Sequence, residues 1–103
     1  MSNDPQLEIP PSFIALFVKP GQAKPSATFA HVVRRYDTCE DLANLLTDHA
    51  HSQKFKQGGH TDNVLLQCMA GLLRDNSGVN AAEARWVVFR LAELLNWPVP
   101  AIN

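Results

Sequence analysis

The chain has 103 residues, of which 46% are hydrophobic and 18% charged, with a formal net charge of -1. That length gives one domain, and that apolar fraction excludes wholesale disorder. The small net charge supplies no bulk attraction to nucleic acid or anionic membranes, and no apolar run approaches the roughly 20 residues of a membrane span.

Residues 1–11 are polar, acidic and proline-containing, without the basic flank and apolar stretch of a signal peptide. A flexible tail is expected there, followed by one helical domain over 12–103, in a cytoplasmic protein. Ser12–Val18 is a short apolar run bounded by Pro10-Pro11 and Pro20-Gly21. Periodicity alone does not separate helix from strand in so short a run. No second β-like segment exists to pair with it, and Ser12 suits an N-cap, so a short helix is expected. Exposing Phe13, Ile14, Leu16 and Phe17 together would forgo several kcal/mol at about 25 cal/mol per Å². Phe13 and Phe17 are therefore expected to lie against the rest of the chain.

From Phe29 the apolar positions run Phe29, Val32, Tyr36, Cys39, Ala43, Leu46 and Ala50, alternating steps of three and four. This predicts a helix ending near residues 55–57, where Lys54 and Lys56 suit the negative end of the dipole and Gly58-Gly59 terminates it. Arg34 and Arg35 precede Asp37, Glu40 and Asp41, an order that also fits two helices meeting at Asp37-Thr38, with Thr38 as a cap. The seam stays in phase without Gly or Pro, which favours one helix over residues 28–56. Thr61 is expected to cap a helix over 62–74. Its apolar set (Val64, Leu65, Leu66, Cys68, Met69, Leu72, Leu73) covers more than half the circumference, the pattern of a central helix with neighbours on several sides.

Asn80 and Glu83 form an N-x-x-E capping box ahead of the last helix, which Pro98 and Pro100 stop. That helix carries two apolar faces. Ala84, Val87, Val88, Leu91, Leu94 and Leu95 make one stripe; Trp86, Phe89 and Trp97 point broadly the other way, with Arg90 and Glu93 among them. The second face either packs inside the domain, with the N-terminal run as one candidate cover, or meets a partner. Trp and Arg are the residue types that anchor interfaces, so Trp86, Phe89, Arg90 and Trp97 are the candidate partner contacts. Arg90 also lies four residues after Trp86, within cation–π reach. The fold class expected is all-α: three main helices and a short N-terminal one.

No catalytic constellation, cofactor motif or metal-ligand spacing emerges. His49 and His51 sit two apart on a helix and face different directions, and His60 with Asp62 matches no ligand spacing. Cys39 and Cys68 fall in apolar stripes, where cysteine acts as a small buried hydrophobe. Gly58-Gly59 is not followed by Lys-Ser or Lys-Thr, so it is a helix terminator and not a phosphate loop. Arg85 and Arg90 stand beside Glu83 and Glu93, a paired face and not a DNA-reading one.

Three segments, I-P-P-S-F-I-A-L-F (Ile9–Phe17), R-Y-D-T-C-E-D-L-A-N-L-L-T-D-H-A (Arg35–Ala50) and A-E-A-R-W-V-V-F-R-L-A-E-L-L-N-W (Ala82–Trp97), resemble a small family of uncharacterised bacterial proteins of about this length. Some of its members carry the label "ATPase with chaperone activity". That label implies a phosphate-binding loop and a metal-holding acid, and no segment here matches either. The expectation from the residues themselves is a non-enzymatic module that binds a protein partner or itself, with no nucleic-acid or membrane partner. The alternative is a small enzyme or ligand-binding domain using Arg34 or Arg35 with Cys39, Asp48 or His49 beside the long helix.

Overall fold

The computed structural model describes residues 8–74, 76–100 and 102. Among them the protein is all-α: α1 (Pro11–Ile14) runs into a 3-10 turn (Ala15–Phe17), followed by α2 (Phe29–Lys56), α3 (Thr61–Leu73) and α4 (Ala81–Leu95), with no strand. The chain divides into two compact units, Met1–Thr38 and Cys39–Asn103. The expected tail falls largely on residues 1–7, outside those described; Pro11, placed in the tail from sequence, opens α1 instead.

In the first unit, Pro10 is the N-cap and Pro11 the first helical residue, not Ser12. Proline suits that position because its missing N–H would have no intrahelical partner. Phe13 is wholly buried. Its ring meets Phe17 and Tyr36, each at 5.5 Å between centroids, and Phe17 meets the His31 imidazole edge-on at 5.8 Å. The N-terminal run is therefore folded onto the first turns of α2, as its apolar content requires. The intervening loop is closed at its base. The Phe17 carbonyl accepts both the Ser26 amide, at 2.8 Å, and the Ser26 hydroxyl, at 3.1 Å. Within it, Lys19-Pro20-Gly21-Gln22 turns with a 3.0 Å bond from the Gln22 amide to the Lys19 carbonyl and φ +82° at Gly21. Proline then glycine at the two central positions is the type II pattern, in which the second needs positive φ. Thr28 caps α2, its hydroxyl accepting the His31 amide at 3.1 Å.

One continuous helix forms where the charge order left two possible. Thr38 does not start a second helix; its hydroxyl donates back to the Arg34 carbonyl at 3.1 Å. Val32, Cys39, Ala43 and Ala50 of the expected seam are buried, whereas Phe29, at the helix's open end, is 64% exposed. The helix stops at Gly58 and Gly59, both at positive φ. The Gly59 amide reaches the Lys54 carbonyl at 2.9 Å, the six-to-one bond of a Schellman turn.

In the second unit, α3 and α4 pack on one another. The capping box forms: Asn80 Oδ1 accepts the Glu83 amide at 2.8 Å, and Glu83 Oε1 accepts the Asn80 amide at 3.1 Å. α3 begins one residue earlier than expected. His60 is its N-cap, with no side-chain capping bond, and Thr61 is its first helical residue. It is also not a central helix. Val64, Leu65, Cys68 and Leu72 are buried along one stripe, while Leu66 and Leu73 are 45% and 54% exposed on the far side. α4 buries the broader arc, from Glu83 and Ala84 through Val87, Val88 and Leu91 to Ala92 and Leu95.

Two substitutions gauge these features. Phe13→Ala is expected to cost about 3 kcal/mol, because it empties a fully packed site, and Asn80→Ala about 1 kcal/mol through loss of the cap. Urea denaturation followed by circular dichroism measures both, with Phe13→Ala the larger.

Candidate functional site

The four side chains nominated from sequence meet different fates. Trp86 is 8% exposed, so the chain itself covers it and little remains for a partner. Phe89 is half-buried and carries the Arg85 guanidinium over its ring at 5.2 Å. On α4, then, a cation–π pair joins Arg85 to Phe89. Arg90 turns from Trp86 to Glu40 on α2: Nε donates to Oε1 and Nη2 to Oε2, each at 2.9 Å. This two-bond fork is the strongest arrangement a guanidinium and a carboxylate make. Nη1 donates to Glu93 Oε1 at 3.2 Å, and Asn44 Nδ2 reaches Glu40 Oε2 at 3.4 Å. The carboxylates hold the Arg90 guanidinium above its ordinary range, through the Glu40 hydrogen bonds foremost and against some desolvation. Arg90 is thus a strut between α2 and α4, fully charged at every accessible pH.

Trp97 is positioned by the end of its own helix. Asn96 takes the left-handed conformation at φ 59° that asparagine tolerates, and the Trp97 amide bonds back to the Ala92 carbonyl at 2.9 Å. The indole then lies against the last turns of α2, with the His51 ring edge-on at 6.2 Å and Lys54 Nζ 5.6 Å from its centre. Beside them Phe55 is 89% exposed.

Of the ionisable groups of the enzyme alternative in the second unit, Cys39 is buried, and Asp48 and His49 are exposed. Among the described residues no group of three His, Cys, Asp or Glu is placed to hold a metal ion, and no helix is long and apolar enough to cross a membrane. Cys39 and Cys68 are both free and buried, and burial pushes the Cys68 thiol above its ordinary range by disfavouring the thiolate.

The most distinctive surface was not nominated from sequence. Leu66, Met69, Ala70 and Leu73 follow one another at i, i+3, i+4 and i+7 on the side of α3 opposite its buried stripe. Leu66, Ala70 and Leu73 are exposed and Met69 half-buried. From Asn63 to Leu73 the helix carries no charged residue at all. A solvated helix face ordinarily holds Lys, Glu or Arg. The signal lay in the breadth of the apolar set, which the sequence presents identically whether neighbours are internal or external. Family models, curated proteins and solved structures offer no match to this chain.

Two measurements check this account. A double-mutant cycle over Glu40→Gln and Arg90→Gln is expected to give a coupling of about 1 kcal/mol, weaker at high salt and unchanged on raising the pH to mildly alkaline values. Thiol titration with a chromogenic disulfide at neutral pH is expected to find both cysteines protected in the native protein and both reactive once it is unfolded. Fast native labelling of Cys68 would contradict its burial.

Proposed function

We propose that this protein is a non-enzymatic interaction or regulatory module of the cytoplasm, and that the outward face of α3 is what it presents to a protein partner. The observation that carries this is the uncharged stripe Leu66–Met69–Ala70–Leu73, exposed at helical spacing. An apolar stripe at i, i+3, i+4 and i+7 is the form in which a helix enters a groove on another protein. Recognition of this kind rests on shape and burial, since the face offers no charge to pair.

Magnitudes favour a different protein over a second copy as the occupant. Each half-exposed leucine contributes about 1 kcal/mol on full burial. Two copies pairing α3 against α3 would gain about 4 kcal/mol from four leucines, comparable to millimolar affinity before the cost of association. A concave partner encloses Leu66, Met69, Ala70 and Leu73 together and adds its own apolar lining to the burial, which two convex helices meeting along a line do not reach. Self-association is then weak, and a heterologous groove is the effective partner.

The test uses a photo-crosslinking amino acid at position 66, and separately at the exposed position 55, in the cell of origin. One heterologous adduct is expected from position 66, lost when Leu73→Glu is added, with the purified protein monomeric by light scattering. No adduct at 66, or an adduct that survives Leu73→Glu in a folded variant, would overturn the assignment. A stable homodimer disrupted by Leu66→Glu would replace the heterologous partner with a second copy.

A further inference from the structure

The first unit contains a hollow of about 310 Å³, independent of the α3 face. Ile9, Ile14, Pro25, Ala27, Phe29 and Val32 line it, and Lys24 is the only charged side chain among its described lining residues. Its walls are fixed. Ser26, bonded twice to the Phe17 carbonyl, anchors the strand of loop that carries Lys24 and Ala27. The Thr28 cap fixes the first turn of α2, on which Phe29 and Val32 stand one turn apart. Phe29 is 64% exposed although it faces an apolar space, so it forms a wall and does not fill the hollow.

The segment that supplies the lining carries charge of one sign in its sequence, and of those cations Lys24 is the one on the wall. From Ile9 to Tyr36 the chain carries Lys19, Lys24, Arg34 and Arg35 and no carboxylate; Glu8 and Asp37 flank the stretch. An apolar cavity with one cation on its wall is complementary to an amphiphile with one negative head group. Its volume lies at the low end of the roughly 300–1,000 Å³ of small-molecule sites, which suits a single short chain and not a diacyl lipid.

We infer that the hollow between residues 9–14 and 24–32 is a binding site for a medium-chain acyl carboxylate, the chain held by Ile14, Phe29 and Val32 and the head group by Lys24. The carboxylate accepts from the Lys24 ammonium, a charge-assisted bond next to a low-dielectric wall. Because the chain supplies most of the burial and the lysine the head-group preference, the two contributions separate experimentally.

Amide chemical-shift titration with sodium decanoate, below its micelle concentration, tests the site, with decanol and acetate as comparison probes. Saturable shifts are expected at Ala27, Phe29 and Val32 with decanoate, about tenfold weaker binding with decanol, and none with acetate. Lys24→Gln is expected to bring decanoate down to the decanol affinity, a tenfold change being about 1.4 kcal/mol. Ala27→Phe, which fills the hollow, is expected to abolish the saturable shifts, and Phe55→Ser in the other unit to leave them unchanged. Helix content by circular dichroism confirms that each variant is folded. Should Ala27→Phe not fold, Phe29→Ser, which alters an exposed wall, takes its place and is expected to weaken binding. Shifts that do not saturate, equal affinity for decanol and decanoate, or binding indifferent to both Lys24→Gln and the wall variant would each overturn the proposal.

Discussion

Cys39, Ala43 and Ala50 are each wholly buried on α2, and none carries more than one heavy atom beyond Cβ. A buried seam of such small side chains contributes little volume, so the bulk of the second unit's core comes from Val64 and Leu65 on α3 and Val87, Val88 and Leu91 on α4. Interiors tolerate few voids, so small residues on one element demand close approach by large ones from another. α2 is then secured along its margins by polar and aromatic contacts. Glu40 takes the Arg90 fork, Gln57 donates to Gln67 on α3 at 2.9 Å, and the last turns seat Trp97. Each of these fixes orientation at the rim of an apolar contact; the Arg90–Glu40 fork is part-buried there, and the Gln57–Gln67 bond is exposed.

What the sequence disclosed follows how local the determining interaction is. The capping box at Asn80–Glu83, the glycine stop after α2 and the seam through Ala43 and Ala50 depend on residues three or four apart, and the residue pattern shows them directly. The hydroxyls of Ser12 and Thr61 suggest caps two and one positions beyond Pro10 and His60, because a hydroxyl near a helix start competes with proline geometry and with the preceding residue for the role. Thr28 caps α2, and the prolines and serines of its loop mask that role in the sequence. The partner of Arg90 was beyond reach: Trp86 lies four residues away and Glu40 fifty, and only the folded chain brings Glu40 nearer.

α3 shows the sharper limit. Hydrophobic periodicity reports which faces avoid water, not what they meet. A helix apolar over more than half its circumference reads as central, yet four residues of α3 are buried on a single stripe and the remaining leucines stand in solvent. The reverse holds on α4, where Trp86 looked outward in projection and is covered. Between them, the two helices exchange the roles that their patterns suggest. The exposed apolar stripe stands on α3, on a face that carries no charge from Asn63 to Leu73.

The aromatic residues are distributed so that each unit carries its own chromophore. The single tyrosine of the chain, Tyr36, belongs to the first unit and packs on Phe13, while both tryptophans, Trp86 and Trp97, belong to the second. Indole emission, excited selectively at the red edge where phenol does not absorb, follows the second unit alone. The phenol band, resolved from the overlapping indole bands by second-derivative absorbance, follows the first. Whether the two units melt as one cooperative block or in succession is thus readable from the unlabelled protein, by asking whether the two optical transitions coincide.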